Sequence, residues 1–167
     1  MERVGIAIAG AGIFVRNQYI PRLAEISNNL FILKAIWSRS QESARATVEI
    51  ARKHFEGVEC KWGDEGLADI LDDPSILAVA VVLAAQSQAG ISLKLLKAGK
   101  HVLQEKPAAA SISEIETALL SYKSICANIP GQPIWAVAEN YRFEPGLLEC
   151  KKIIGYHWEY DECPTYC

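Results

Sequence analysis

Val4-Gly5-Ile6-Ala7-Ile8-Ala9-Gly10-Ala11-Gly12 decides the fold. A short apolar run closed by glycines fits a strand buried on both faces that turns sharply into a helix, and such strands belong to parallel sheets. Gly10 and Gly12 tolerate backbone angles closed to other residues and let an anionic group approach the main chain where a helix begins. A lone G-x-G is weak, because a plain tight turn uses the same residues. Its context strengthens it: strand before, helix after, and a lysine at a later strand end in Gln104-Glu105-Lys106-Pro107. In a nucleotide-binding sheet that arrangement sets pyrophosphate and a proton donor on one rim, which points to hydride chemistry.

Working outward, residues 31–37 repeat the apolar type with one lysine. Residues 77–85 are all apolar, follow the turn signal Asp72-Asp73-Pro74-Ser75, and predict a central parallel strand. Residues 102–103 and 134–138 supply two more strands, and residues 58–61 a weaker one at an edge. Between them the period becomes helical. Ile91, Leu95 and Ala98 share a face that Gly99 ends. Residues 40–54 form a helix capped by Ser40, with Ala44, Val48 and Ala51 inward, and a third helix starts at Ser113 as N-cap. Alternating strands and helices joined by right-handed crossovers predict an α/β, doubly wound parallel sheet of the Rossmann type. Two irregularities fall in the first helix. Val15 replaces the third glycine of the usual fingerprint, and Pro21 sits where the interior would be, so this helix is expected to begin late or bend.

At the end of the second strand, where an acid would bind the ribose hydroxyls of NAD, the chain has Trp37-Ser38-Arg39-Ser40. No carboxylate stands there to repel a 2′-phosphate, while Arg39 offers a planar fork of donors and Ser38 and Ser40 add hydroxyls. NADP is therefore favoured, with NAD possible.

The 167 residues suffice for one domain burying roughly 70% of its unfolded surface. A net charge of −3 with scattered basic residues gives no field for nucleic acid, and no apolar stretch is long enough for a membrane helix. Met1-Glu2-Arg3 leaves no room for a signal peptide, and five widely spaced cysteines argue for a reducing, cytoplasmic setting. Cys150, Cys163 and Cys167 with His157 match no common zinc spacing, so no metal is expected.

Three stretches together resemble the glucose-fructose oxidoreductase, inositol dehydrogenase and rhizopine-catabolism (Gfo/Idh/MocA) family. They are Gly10-Ala11-Gly12, the run from Ala98 through Gly99-Lys100-His101-Val102-Leu103-Gln104-Glu105-Lys106 to Pro107, and Ala138-Glu139-Asn140-Tyr141-Arg142-Phe143-Glu144-Pro145. The middle stretch is the most specific. The resemblance implies an NAD(P)-dependent oxidoreductase acting on sugars, polyols or related carbonyl compounds. It implies that Lys106 is catalytic, contacting the substrate oxygen as hydride moves, that Glu105 orients the loop or touches the cofactor, and that the Lys106-Pro107 bond is cis. Asn140 and Arg142 would line the same rim, and Ile13, Phe14 and Ala84 complete the candidate cofactor contacts. One departure concerns the nicotinamide end. The family commonly has a proline and then a histidine after the fourth strand, where this chain has Ala84-Ala85-Gln86-Ser87-Gln88.

The family continues into a second α/β domain that supplies most substrate contacts. Here residues 1–145 read as the cofactor domain and residues 146–167 as the start of a connecting helix plus an atypical tail. Apolar Leu147, Leu148, Ile153 and Ile154 suggest the helix, and from Tyr156 neither structural period persists. A truncated product is expected, with little turnover alone and with self-association or pairing with full-length subunits. The alternative is a non-enzymatic NADP(H)-binding module that gives Lys106 no chemical task. A methyltransferase is disfavoured, because it needs an acid where Ser38-Arg39 stands.

Overall fold

The computed structural model describes residues 3–27 and 30–154, so the expected tail, with His157, Cys163 and Cys167, lies outside the described residues. Six strands form one parallel sheet in the order β3-β2-β1-β4-β5-β6. In chain order they are β1 (Val4–Ala9), β2 (Phe31–Ser38), β3 (Glu59–Trp62), β4 (Ile76–Val81), β5 (His101–Gln104) and β6 (Trp135–Val137). The helices are α1 (Ile20–Ile26), α2 (Gln41–Ala51), α3 (Gly63–Asp72), α4 (Ala85–Lys97), α5 (Ile112–Asn128) and α6 (Pro145–Ile154). The chain builds outward from β1 to β3, then crosses back to β4 on the other side of β1. The doubly wound α/β expectation is met.

The strand residues alternate between two apolar layers, as a period of two requires, except in β2, where the register with β1 shifts between Ile6 and Ala7 and puts Leu33 on the same face as Ile36. Ile8, Leu33 and Ile36 meet Val15, Ile20 and Val48 on one face. Ala7, Ala9, Ala35, Val79 and Val81 meet Leu67, Leu95, Leu96 and Tyr122 on the other. Ala44, Val48 and Ala51 are buried as their spacing predicts. After α4, Gly99 takes φ 78°, its N–H reaches Leu96 O at 2.9 Å, and the Lys100 N–H reaches Leu95 O at 3.0 Å. That closes the helix as a Schellman turn.

Three local expectations need correction. The apolar run at 77–85 is strand only as far as Val81, and Ala84 already caps α4 in an extended conformation. Apolar content alone does not separate a strand end from the loop that follows it. The cap of α5 is Ser111 rather than Ser113. Ser111 Oγ accepts the Glu114 N–H at 3.2 Å, and a Glu114 carboxylate oxygen accepts the N–H of Ala110, the residue before the cap, at 2.9 Å, so the cap resembles a capping box that reaches one residue further back. Of the two alternatives expected for the helical segment after Gly12, a late start or a bend, the late start is excluded, because helix begins at Ile13. The segment passes through a π turn at Val15–Tyr19, where the Ile20 N–H bonds Val15 O, and Pro21 follows in the first turn of α1, where a missing N–H is tolerated.

Candidate functional site

The candidate residues converge on the rim formed by the C-terminal ends of the strands, at the crevice where the strand order reverses between β1 and β4. That is where open α/β sheets hold ligands. Gly10 lies deepest. Its φ is 142°, its N–H donates to Trp37 O at 2.8 Å, and a Cβ there would sit 2.1 Å from Val82 O. Gly10 is thus required by the sheet itself. Gly12 differs, because a Cβ on it would meet no atom within 4 Å. The space over Gly12 is open to a ligand that needs close backbone approach, at the start of a helical segment whose first N–H groups lack intrahelical partners.

The turn is held from α2. Ala11 O accepts the Ser43 and Thr47 hydroxyls at 3.2 and 3.0 Å, and Arg16 Nε donates to Thr47 Oγ1 at 2.8 Å. Ile13 and Phe14 stand beyond it with 75% and 52% of their surface exposed, large apolar side chains facing outward from the glycine turn.

Ser38 ends β2, and Ser40 Oγ accepts the Ser43 N–H at 3.4 Å, so the Ser40 hydroxyl already has a capping task. Arg39 and Ala84 come together in a cleft of about 320 Å³ that runs past Trp37, Leu67, Leu83 and Ile91. Two charges reach the cleft from elsewhere: Asp64 in the first turn of α3 and Lys94 on α4. The sequence around Arg39 gave no sign of Asp64, which is brought in only by the crossover of α3. Trp37 Nε1 donates to Gly63 O at 2.8 Å and ties the start of α3 to β2.

At the other end of the rim, the Glu105 N–H bonds Val81 O at 2.9 Å, and the Lys106-Pro107 peptide is cis, as the resemblance implies. Lys106 Nζ donates to Asn140 Oδ1 at 2.7 Å, lies 3.4 Å from Glu139 Oε1, and stands 3.9 Å from the centre of the Tyr141 ring. Its side chain keeps 34% of its surface exposed, so an ion pair this wet contributes little to stability and leaves the ammonium accessible. Glu105 faces Tyr19. The Tyr19 hydroxyl donates to Glu105 Oε1 at 2.7 Å, and Glu105 Oε2 accepts the Lys106 N–H at 3.1 Å. Burial, and then the adjoining carboxylate, push the Tyr19 phenol well above its ordinary value, so it stays a donor. Arg142 does not join this group; its guanidinium lies 5.5 Å from the centre of the Phe143 ring.

Sequence reasoning missed Tyr19, because its reach to Glu105 depends on the π turn, for which the sequence carries no signal. Glu139 and Tyr141 flank Asn140 in the Ala138–Pro145 stretch, where the resemblance implies a role only for Asn140 and Arg142, and their place beside Asn140 at a strand end is the signal in the sequence. Among the described residues no group of His, Cys, Asp and Glu is arranged to hold a metal, and no helix is long and apolar enough to cross a membrane.

Comparison with known proteins bears on the family and the fold. The model of an oxidoreductase family with an NAD-binding Rossmann fold, Gfo/Idh/MocA, matches residues 4–124. The dehydrogenase FPY6 of Fusarium mangiferae is 37% identical over 149 residues, covering 86% of this chain and 40% of that protein. Myo-inositol dehydrogenase from Lactobacillus casei, solved with NAD(H) and myo-inositol, superposes with a TM-score of 0.73 at 22% identity, covering 92% of this chain and 41% of the other. KijD10, a 3-ketoreductase from Actinomadura kijaniata solved with NADP and TDP-benzene, superposes with a TM-score of 0.71 at 22% identity, covering 92% and 42%. The structural likenesses show the fold. The chain spans about 40% of the length of the curated relatives it matches.

Proposed function

Given that the chain belongs to the Gfo/Idh/MocA oxidoreductase family through its NAD-binding Rossmann-fold domain, we propose that it binds NADP(H) along the rim from Arg39 to Lys106 and presents Lys106 to a substrate oxygen. The observation that carries this reading is the open space over Gly12 on the same rim as an accessible Lys106. Gly10, Gly12 and the first turn through Ile13 and Phe14 would receive the pyrophosphate. The cleft beside Ala84 would take the adenosine end, with Arg39 and Ser38 toward the 2′-phosphate. When bound, the nicotinamide supplies the centre that gives or takes hydride. Glu105, Asn140 and Glu139 aim Lys106, and Lys106 hydrogen-bonds or protonates the oxygen of a sugar, polyol-like or other carbonyl substrate as charge develops there. Little turnover is expected from these residues alone, because hydride transfer depends on a positioned substrate. The cysteine spacing supports a cytoplasmic setting.

Asp64 sharpens the question of cofactor choice. It puts a carboxylate in the cleft that holds Arg39, so preference for NADP depends on Arg39, with Lys94, outweighing it. Calorimetric titration with NADPH and NADH tests the reading. Tighter binding of NADPH, lost in Arg39→Ala and increased in Asp64→Asn, is expected. Binding of neither cofactor would sink it, and equal binding of both would remove the NADP preference.

A second reading is a non-catalytic NADP(H)-binding module that self-associates or pairs with longer subunits. It is favoured by the engagement of Lys106 with Asn140 and Glu139, and by the exposed apolar residues of α6. Lys106→Ala separates the two. Unchanged cofactor affinity, with no change in the activity of the chain or of mixed complexes, would favour the module.

A further inference from the structure

We infer that Gln88 is a positioning residue for Lys106, acting through the carbonyl of Pro107. The inference rests on the reading of Lys106 as the group that faces the substrate oxygen. Gln88 lies in the first turns of α4, fully buried, and its Nε2 donates to Pro107 O at 2.8 Å. Its Oε1 has no partner, a costly condition for a buried amide and one that an apolar side chain of the same size would avoid. The donor is therefore the part of Gln88 that the structure uses.

The loop explains why a donor is needed. Pro107 has no N–H, so the segment after Lys106 is held by its carbonyls, and both are met by glutamine amides. Gln104 Nε2 donates to Ala108 O at 2.5 Å. Gln104 is itself fixed, because its Oε1 accepts the Ser92 hydroxyl at 2.7 Å and Trp135 Nε1 at 3.2 Å. Ser92 is one helical turn beyond Gln88 on α4, so one face of that helix grips the loop directly at Pro107 and indirectly at Ala108. Gln88 holds the Pro107–Ala108 peptide, and because the ring of Pro107 fixes its φ, this anchor also places the Lys106-Pro107 unit from which the Lys106 side chain reaches Asn140 and the Tyr141 ring. Releasing Pro107 O loosens the anchor on the C-terminal side of the Lys106-Pro107 unit and is expected to weaken the contacts of Lys106 with both.

The test uses the whole chain without cofactor. The ε-methylene protons of Lys106 lie beside the Tyr141 ring and carry its ring-current shift, which NMR of lysine-labelled protein reads directly. Gln88→Met keeps the length of the side chain and removes the donor, and loss of that shift is expected, with the protein still folded and NADPH affinity unchanged. Gln88→His, which restores an N–H, is expected to recover it. A shift retained in Gln88→Met would overturn the inference and leave Gln88 as packing. If Gln88→Met does not fold, the unaltered protein decides. The Gln88 side-chain amide is expected to exchange with solvent far more slowly than those of exposed glutamines, and rapid exchange would overturn the inference. Because these readouts need no cofactor, failure to bind NADPH would count against the functional reading and leave the positioning result standing.

Discussion

Two glycines two residues apart separate folding from binding. At Gly10 a methyl group would collide with Val82 O, and φ of 142° strains any side chain. Gly10→Ala should destabilise the protein by about 2–4 kcal/mol, read from urea unfolding midpoints. At Gly12 the same methyl group meets nothing. Gly12→Ala should leave the midpoint nearly unchanged while weakening NADPH binding by about tenfold or more, roughly 1.4 kcal/mol. Equal effects of the two substitutions on stability would contradict this division. The sequence marked both residues as permissive turn formers and gave them one shared reason, because only the neighbouring strand shows which of them is crowded. Lys100 gives a similar lesson. It belongs to the most family-specific stretch, yet it is 6% exposed and donates to Asp73 O, and burial pulls its ammonium below its usual range. It braces the loop before β4 and stands apart from the rim.

At the scale of elements, the π turn at Val15–Tyr19 and the cap of α5 carry the testable content. Tyr19→Phe removes a hydrogen bond to a carboxylate and should cost roughly 1.5–3 kcal/mol. The pH dependence has a definite sign. The folded state raises the Tyr19 phenol above its ordinary value of 10.0, so the folded form holds this proton more tightly than the unfolded chain does. The stability it contributes is complete below pH 10.0 and falls as pH rises beyond it, as the unfolded chain loses the proton first. Tyr19→Phe should flatten that alkaline fall in denaturation curves measured across the range, and an unaltered slope would show that the phenol is not responsible. For α5, Ser111→Ala should cost about 1 kcal/mol, whereas Ser113→Ala should stay within roughly 0.5 kcal/mol. Helical period located α5 correctly but left its first turn ambiguous, because two serines precede the apolar face. The hydrogen bonds of Ala110 and Glu114 resolve it.

Over the whole molecule, apolar surface is unevenly spent. The two layers against the sheet are closed, while Phe143, Leu147, Leu148, Ile153 and Ile154 remain exposed near and along α6, which buries no residue. Such a face favours association. Sedimentation at rising concentration should show self-association that a Leu148→Glu, Ile154→Glu double variant reduces, and a concentration-independent monomer would refute it. The chain's own order of apolar runs, glycine turns and helical periods determined a doubly wound parallel sheet, since local burial patterns and crossover handedness leave few alternatives. It also marked the glycine turn, Arg39 and Lys106 as candidate site residues, because each lies at a strand end. The tertiary structure alone decided that Asp64 shares the cleft with Arg39, that Tyr19 holds Glu105, that Gln88 grips the loop, and that Arg142 turns to Phe143. These depend on crossovers, on a π turn and on side-chain reach between distant segments, and the periodicity of one segment contains no term for what another places beside it.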